Sequence, residues 1–148
     1  MKVFFYVTLS ALAIMVAVHY LLRKVWPVKT FAYQIEKILK EKDPEQYELF
    51  KQISKECSFT MEALLYTHYA LVLEKEEGVN SPDKTCENFL ELFNLLYAES
   101  AAKGIMVLQI QSSKDLGQIA FELDKRGIVK MPPNVKIEDF DDQFEQFS

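Results

Sequence analysis

Glycine, histidine and cysteine are scarce in this chain: four, two and two among 148 residues. A phosphate-cradling loop needs several backbone N–H groups freed by closely spaced glycines. Gly78, Gly104, Gly117 and Gly127 each stand alone, and three of them fall where helices should end. No Gly-x-Ser-x-Gly elbow presents a nucleophile. A zinc site needs Cys and His donors at short spacing. Here His19, His68, Cys57 and Cys86 are scattered, with no Cys-x-x-Cys and no His-Glu-x-x-His. The expectation is therefore no metal, no cofactor and no enzymatic site. The acid–base pairing on offer, His68 with Glu62, lacks any motif around it, and His68 reads as a structural ring at a helix–helix contact. Five prolines and four glycines are too few for a low-complexity chain.

Basic charge is also in short supply, and it is unevenly placed. Lys2, Arg23, Lys24 and Lys29 give residues 1–29 a charge of +4 with no acid, which leaves −9 for the rest of a chain whose net charge is −5. An acidic domain of this kind excludes nucleic acid, whose phosphates supply most of the affinity for protein.

The largest positive signal is the run from Val3 to Leu22, twenty residues without a formal charge. At a rise of about 1.5 Å per residue such a helix is about 30 Å long, the thickness of a bilayer's hydrocarbon core. It exceeds the 7–15 apolar residues usual in a signal peptide. Ala11-Leu12-Ala13 has the small-x-small form of a cleavage site, but a further apolar stretch follows it. Tyr20 and Trp26 stand where amphipathic rings favour the headgroup layer, and Arg23 and Lys24 form a charged clamp that stays in water. The expectation is a retained single-pass anchor in the lipid bilayer. Three basic residues after the run against Lys2 and the amino terminus before it lean, by one charge, toward a cytoplasmic or matrix soluble domain. His19, near the end of the run, reads as an interfacial ring beside Tyr20.

Beyond Pro27 the pattern becomes helical. Phe31, Ile35, Ile38 and Leu39 predict a helix over residues 30–42. Asp43-Pro44 opens the next, with Tyr47, Phe50, Ile53 and Cys57 on one face. Met61, Leu64, Leu65, His68, Leu71 and Val72 predict a long helix over 60–77 closed by Gly78. Phe89, Leu90, Phe93, Leu96, Tyr97 and Ala101 predict its antiparallel neighbour over 83–103, opened by Ser81-Pro82. The expected core includes Leu64, Leu65, Leu71, Phe89, Phe93 and Leu96. Residues 105–111 and 128–131 are short and apolar enough to form a two-stranded ribbon, on either side of a helix that begins at Ser113 and stops at Gly127. A straight helix between Cys57 and Cys86 would hold them about 27 Å apart, well beyond the roughly 7 Å that a disulfide spans, so both thiols are expected free.

The fold class expected is mainly α: an N-terminal transmembrane helix, a small helical bundle with room for a two-stranded β element, and an acidic tail. The boundaries are 1–29 for the anchor, 30–131 for the bundle and 132–148 for the tail. In the tail Ile137, Phe140, Phe144 and Phe147 recur at i, i+3, i+7 and i+10 with acids between them, an apolar stripe suited to a partner's groove or to the chain's own domain. Taken together these features point to a non-enzymatic accessory or assembly subunit of a larger membrane complex, with other membrane-complex subunits as partners. The competing expectation is a secreted or periplasmic helical domain, freed from its leader, that holds a small apolar ligand or a protein.

Overall fold

The computed structural model describes residues 32–73, 78–97, 104 and 107–144. The run 3–22, with Tyr20, Arg23, Lys24 and Trp26 at its end, lies outside the described residues, as does Phe147. Among the described residues no helix is long and apolar enough to cross a membrane.

The first helix, α1, covers residues 32–42 and turns Ala32, Ile35 and Leu39 inward. Asp43 then starts α2, Pro44–Glu56: its carboxylate accepts from the Gln46 N–H at 2.9 Å, and Pro44 takes the first turn, where a missing N–H costs nothing. Tyr47, Phe50 and Ile53 form the buried face, as their spacing predicts. The Thr60 hydroxyl caps α3, Met61–Val72, by accepting from the Ala63 N–H.

α3 is the centre of the bundle. It packs against α2, against α4 (Pro82–Tyr97) and against α5 (Ser113–Lys125). Its five consecutive residues from Ala63 to Thr67 are all buried, together with Ala70 and Leu71. A helix enclosed on all sides carries no single stripe, which is why the spacing of its leucines understates what it buries. Leu64, Leu65, Leu71, Phe89 and Phe93 lie in the core as expected, while Leu96 is only half-buried.

α3 ends earlier than its pattern suggests, at Val72 rather than near residue 77. Two buried asparagines supply the reason. The Asn80 side chain donates to the carbonyls of Leu73 at 2.6 Å and Ala70 at 3.3 Å, its backbone N–H donates to Leu71 at 2.8 Å, and the Asn88 side chain donates to Ala70 at 3.2 Å. The last carbonyls of α3 thus find partners across the turn instead of in another turn of helix. Gly78, at φ +88°, makes the reversal possible but is not the cap.

No two-stranded element forms among the described residues. Gly104, Val107 and Leu108 are helical, and Gln109 turns left-handed at φ 56° to stop that turn. The opposite candidate, 128–131, has its first and last backbone donors committed elsewhere. Gly127 donates to Asp124, Ile128 to Leu123, and Met131 to the Asp124 carboxylate. The first two bonds are the paired closure of a helix that ends in a left-handed glycine, here Gly127 at φ 73°. The Ile128 and Met131 bonds bend the segment back onto α5.

Candidate functional site

The acidic aromatic tail does not form one continuous helix. Its regular part is a single 3₁₀ turn, Ile137–Phe140; Asp141 is extended and Asp142 is left-handed at φ 59°. The 3₁₀ turn packs on α4 and α5. The seat on α5 is made by two small buried residues, Ser113 and Gly117. Asp115 holds the start of this helix by accepting from the N–H groups of Gln111 and Ser112. The Ser113 hydroxyl in turn accepts from the Gln143 N–H at 3.2 Å, pinning the tail to the helix's first turn.

Phe140 is fully buried over Gly117. A glycine inside a helix costs roughly 1 kcal/mol relative to alanine, and here it makes room for a ring. Phe144 is half-buried and stacks on Phe89 with centroids 6.0 Å apart and planes 5° from parallel. The rings continue along α4: Phe89 with Phe93 at 6.1 Å, then Phe93 with Tyr97 at 5.0 Å. Gly104 lies directly on the far end, where an added Cβ would come within 2.6 Å of the Phe93 ring and 2.8 Å of Tyr97.

The four tail residues singled out by spacing therefore have different environments. Phe140 is core, Phe144 is a rung of the aromatic ladder, Ile137 is half-buried, and Phe147 lies outside the described residues. The stripe marks contact with the chain's own domain at Phe140 and Phe144. Gly117 is the residue that sequence reasoning passed over. Its signal was its position, a lone glycine in mid-helix that ends nothing.

His68 is half-buried on α3, with its ring edge-on to Phe50 at 5.4 Å and 78°. Burial pushes its pKa below the usual 6.5 and keeps the ring neutral. Glu62 is six residues away on the same helix, about 240° around it. Its charge acts instead on Tyr66 and Tyr97, whose hydroxyl pKa values rise chiefly by burial. The structure does not bring Glu62 and His68 together as an acid–base pair. Both cysteines are free: Cys57 half-buried, Cys86 buried with its pKa pushed up to about 12. No group of three His, Cys, Asp or Glu side chains suited to a metal ion occurs among the described residues.

The outer surface has two further features. Three large apolar side chains stand in water among the described residues: Tyr33 (66% exposed) and Ile38 (53%) on α1, and Leu95 (80%) on α4. An open groove of about 480 Å³ runs between α1 and α2, lined by Tyr33, Glu36, Lys37, Lys40, Glu41 and Tyr47. The Tyr47 hydroxyl donates to Glu36 at 2.9 Å, and the ammonium groups of Lys40 and Lys51 lie 5.7 and 5.3 Å from the centre of its ring.

Comparison with protein-family models, with curated proteins and with solved structures yields no match to this chain.

Proposed function

We propose that this chain is a non-enzymatic accessory or assembly subunit of a larger membrane protein complex, held by one N-terminal helix and acting through protein contacts of its helical domain. The observation that carries the reading is the uncharged run 3–22 with the Arg23-Lys24 clamp and the Tyr20 and Trp26 rings at one end. The partition of charge supports it, with +4 in residues 1–29 and −9 beyond them. The single-charge excess after the run favours the cytoplasmic or matrix side for the domain.

Contacts with other subunits fall on what the bundle leaves outside. Leu95 is a large apolar side chain held out on a rigid helix, a suitable anchor for a partner. In the tail, the half-buried Ile137 sits among the exposed acids Glu138, Asp139 and Asp142, a surface suited to a basic partner.

The test is extraction of the native membrane in mild detergent, followed by identification of what stays with the chain through size separation. A fixed set of membrane proteins that dissociates on Leu95→Asp, with the domain still folded, is the expected result. A lone chain, unaffected by that change, overturns the proposal.

A further inference from the structure

We propose that the outward face of α1 lies flat against the anionic headgroups of the bilayer, an inference that rests on the membrane-anchor reading above. Helical geometry sets Ala32, Ile35 and Leu39 toward the core and Tyr33, Lys37, Glu41 and Ile38 on the opposite side, with Lys40 at its edge and Lys37 paired to Glu41 at 3.9 Å. Two of the three exposed large apolar side chains among the described residues thus share one short helix with cationic neighbours. Apolar rings and branched chains set among lysines suit a helix that rests in the interface and does not cross it.

Charge identifies the surface that this face would meet. Residues 23–42 contain six basic side chains and two acidic ones, for +4, whereas residues 43–148 carry −10. Anionic lipid attracts the first segment and repels the second, so the domain has one favourable orientation, with α1 toward the membrane. Screening limits this force to about 8 Å at physiological salt, so only side chains on the facing surface contribute. The groove between α1 and α2 opens on this helix, lined by Lys37 and Lys40 as well as Glu36 and Glu41, and the Lys40 ammonium over Tyr47 is able to meet a headgroup phosphate.

Chain length permits the contact. Ten residue steps separate Leu22 from Ala32, a reach of at most about 36 Å when fully extended. α1 therefore stays close to the surface whatever path the linker takes.

The experiment uses the full chain reconstituted into vesicles of phosphatidylcholine, with and without phosphatidylglycerol. Tyr33→Trp in a Trp26→Phe background gives a single tryptophan reporter on the α1 face, since the chain has no other. The expected result is a blue shift of its emission and protection from aqueous quenchers when phosphatidylglycerol is present. Lys37→Glu with Lys40→Glu should abolish both, each lost lysine lowering the equilibrium for surface contact about fivefold. Flotation with the vesicles is recorded on the same samples. Chains that float while the indole reporter on α1 remains fully hydrated in both lipids overturn this inference alone. Chains that do not float overturn it together with the anchor reading.

Discussion

Gly117 and Phe140 occupy one place: a Cβ at residue 117 would lie 2.9 Å from the Cβ of Phe140 and 3.2 Å from the Ile137 carbonyl oxygen. The backbone of α5 and the tail's 3₁₀ turn meet without space for even a methyl group. Gly117→Ala should therefore destabilise the domain by about 1–3 kcal/mol, the usual cost of overpacking, despite alanine's better helix propensity. Phe140→Ala should cost about 3–5 kcal/mol. Denaturant midpoints measure both. Paired instead with Phe140→Gly, which removes the Cβ and the ring together, the penalty of the Gly117 methyl should be smaller, because only the Ile137 carbonyl still meets it. Additive losses would show that the tail does not dock there.

The end of α3 depends unequally on its two asparagines. Asn80 serves the carbonyls of Leu71, Leu73 and Ala70, whereas Asn88 shares only Ala70, and its own side-chain oxygen has no partner among the described residues. Asn80→Ala leaves the Leu73 carbonyl without its donor and should cost about 1–3 kcal/mol. Asn88→Ala should cost less, because Asn80 still donates to Ala70. Thermal unfolding of the two variants side by side checks the order.

His68 sets a pH dependence. Burial depresses its folded pKa below 6.5, so the unfolded chain takes up the proton more readily. The corresponding stability is complete above about pH 6.5 and declines as pH falls below it and through the folded value. Glu56 is held below 4.5 by hydrogen bonds from Gln52 and then Arg126, so its contribution is present above 4.5 and disappears in a lower window. His68→Gln should flatten the upper decline and leave the lower one. Unfolding curves collected from pH 7 down to about pH 2 separate the two.

The thiols should react in a fixed order. Both pKa values are raised by burial, but Cys86 is the more enclosed and reaches about 12. Maleimide labelling followed by mass analysis should modify Cys57 slowly in the native domain. Cys86 should react only in molecules that have opened. Equal rates at both positions would contradict the packing around α4.

The parts of this fold that were legible in the sequence are those governed by local chemistry. Asp43-Pro44 and Ser81-Pro82 are start signals whose geometry needs only the neighbouring backbone, and Gly127 ends α5 by the same local rule. Residues that act across the chain were not legible. Asn80 ends α3 through carbonyls seven to ten residues earlier, and Asp124 occupies the backbone of Met131, which removes one candidate strand. The aromatic spacing of the tail was a true signal of burial, but spacing carries no information on whose surface buries it. That was decided by Gly117, whose missing side chain is the groove.

Membership of an anchored assembly is tested most directly by native mass spectrometry of the chain extracted from its own membrane in mild detergent. The expected result is a chain still bearing the run 3–22, within a particle of larger and discrete mass. A free monomer, or a chain shortened by its first seventeen or so residues at a small-x-small site, would contradict it.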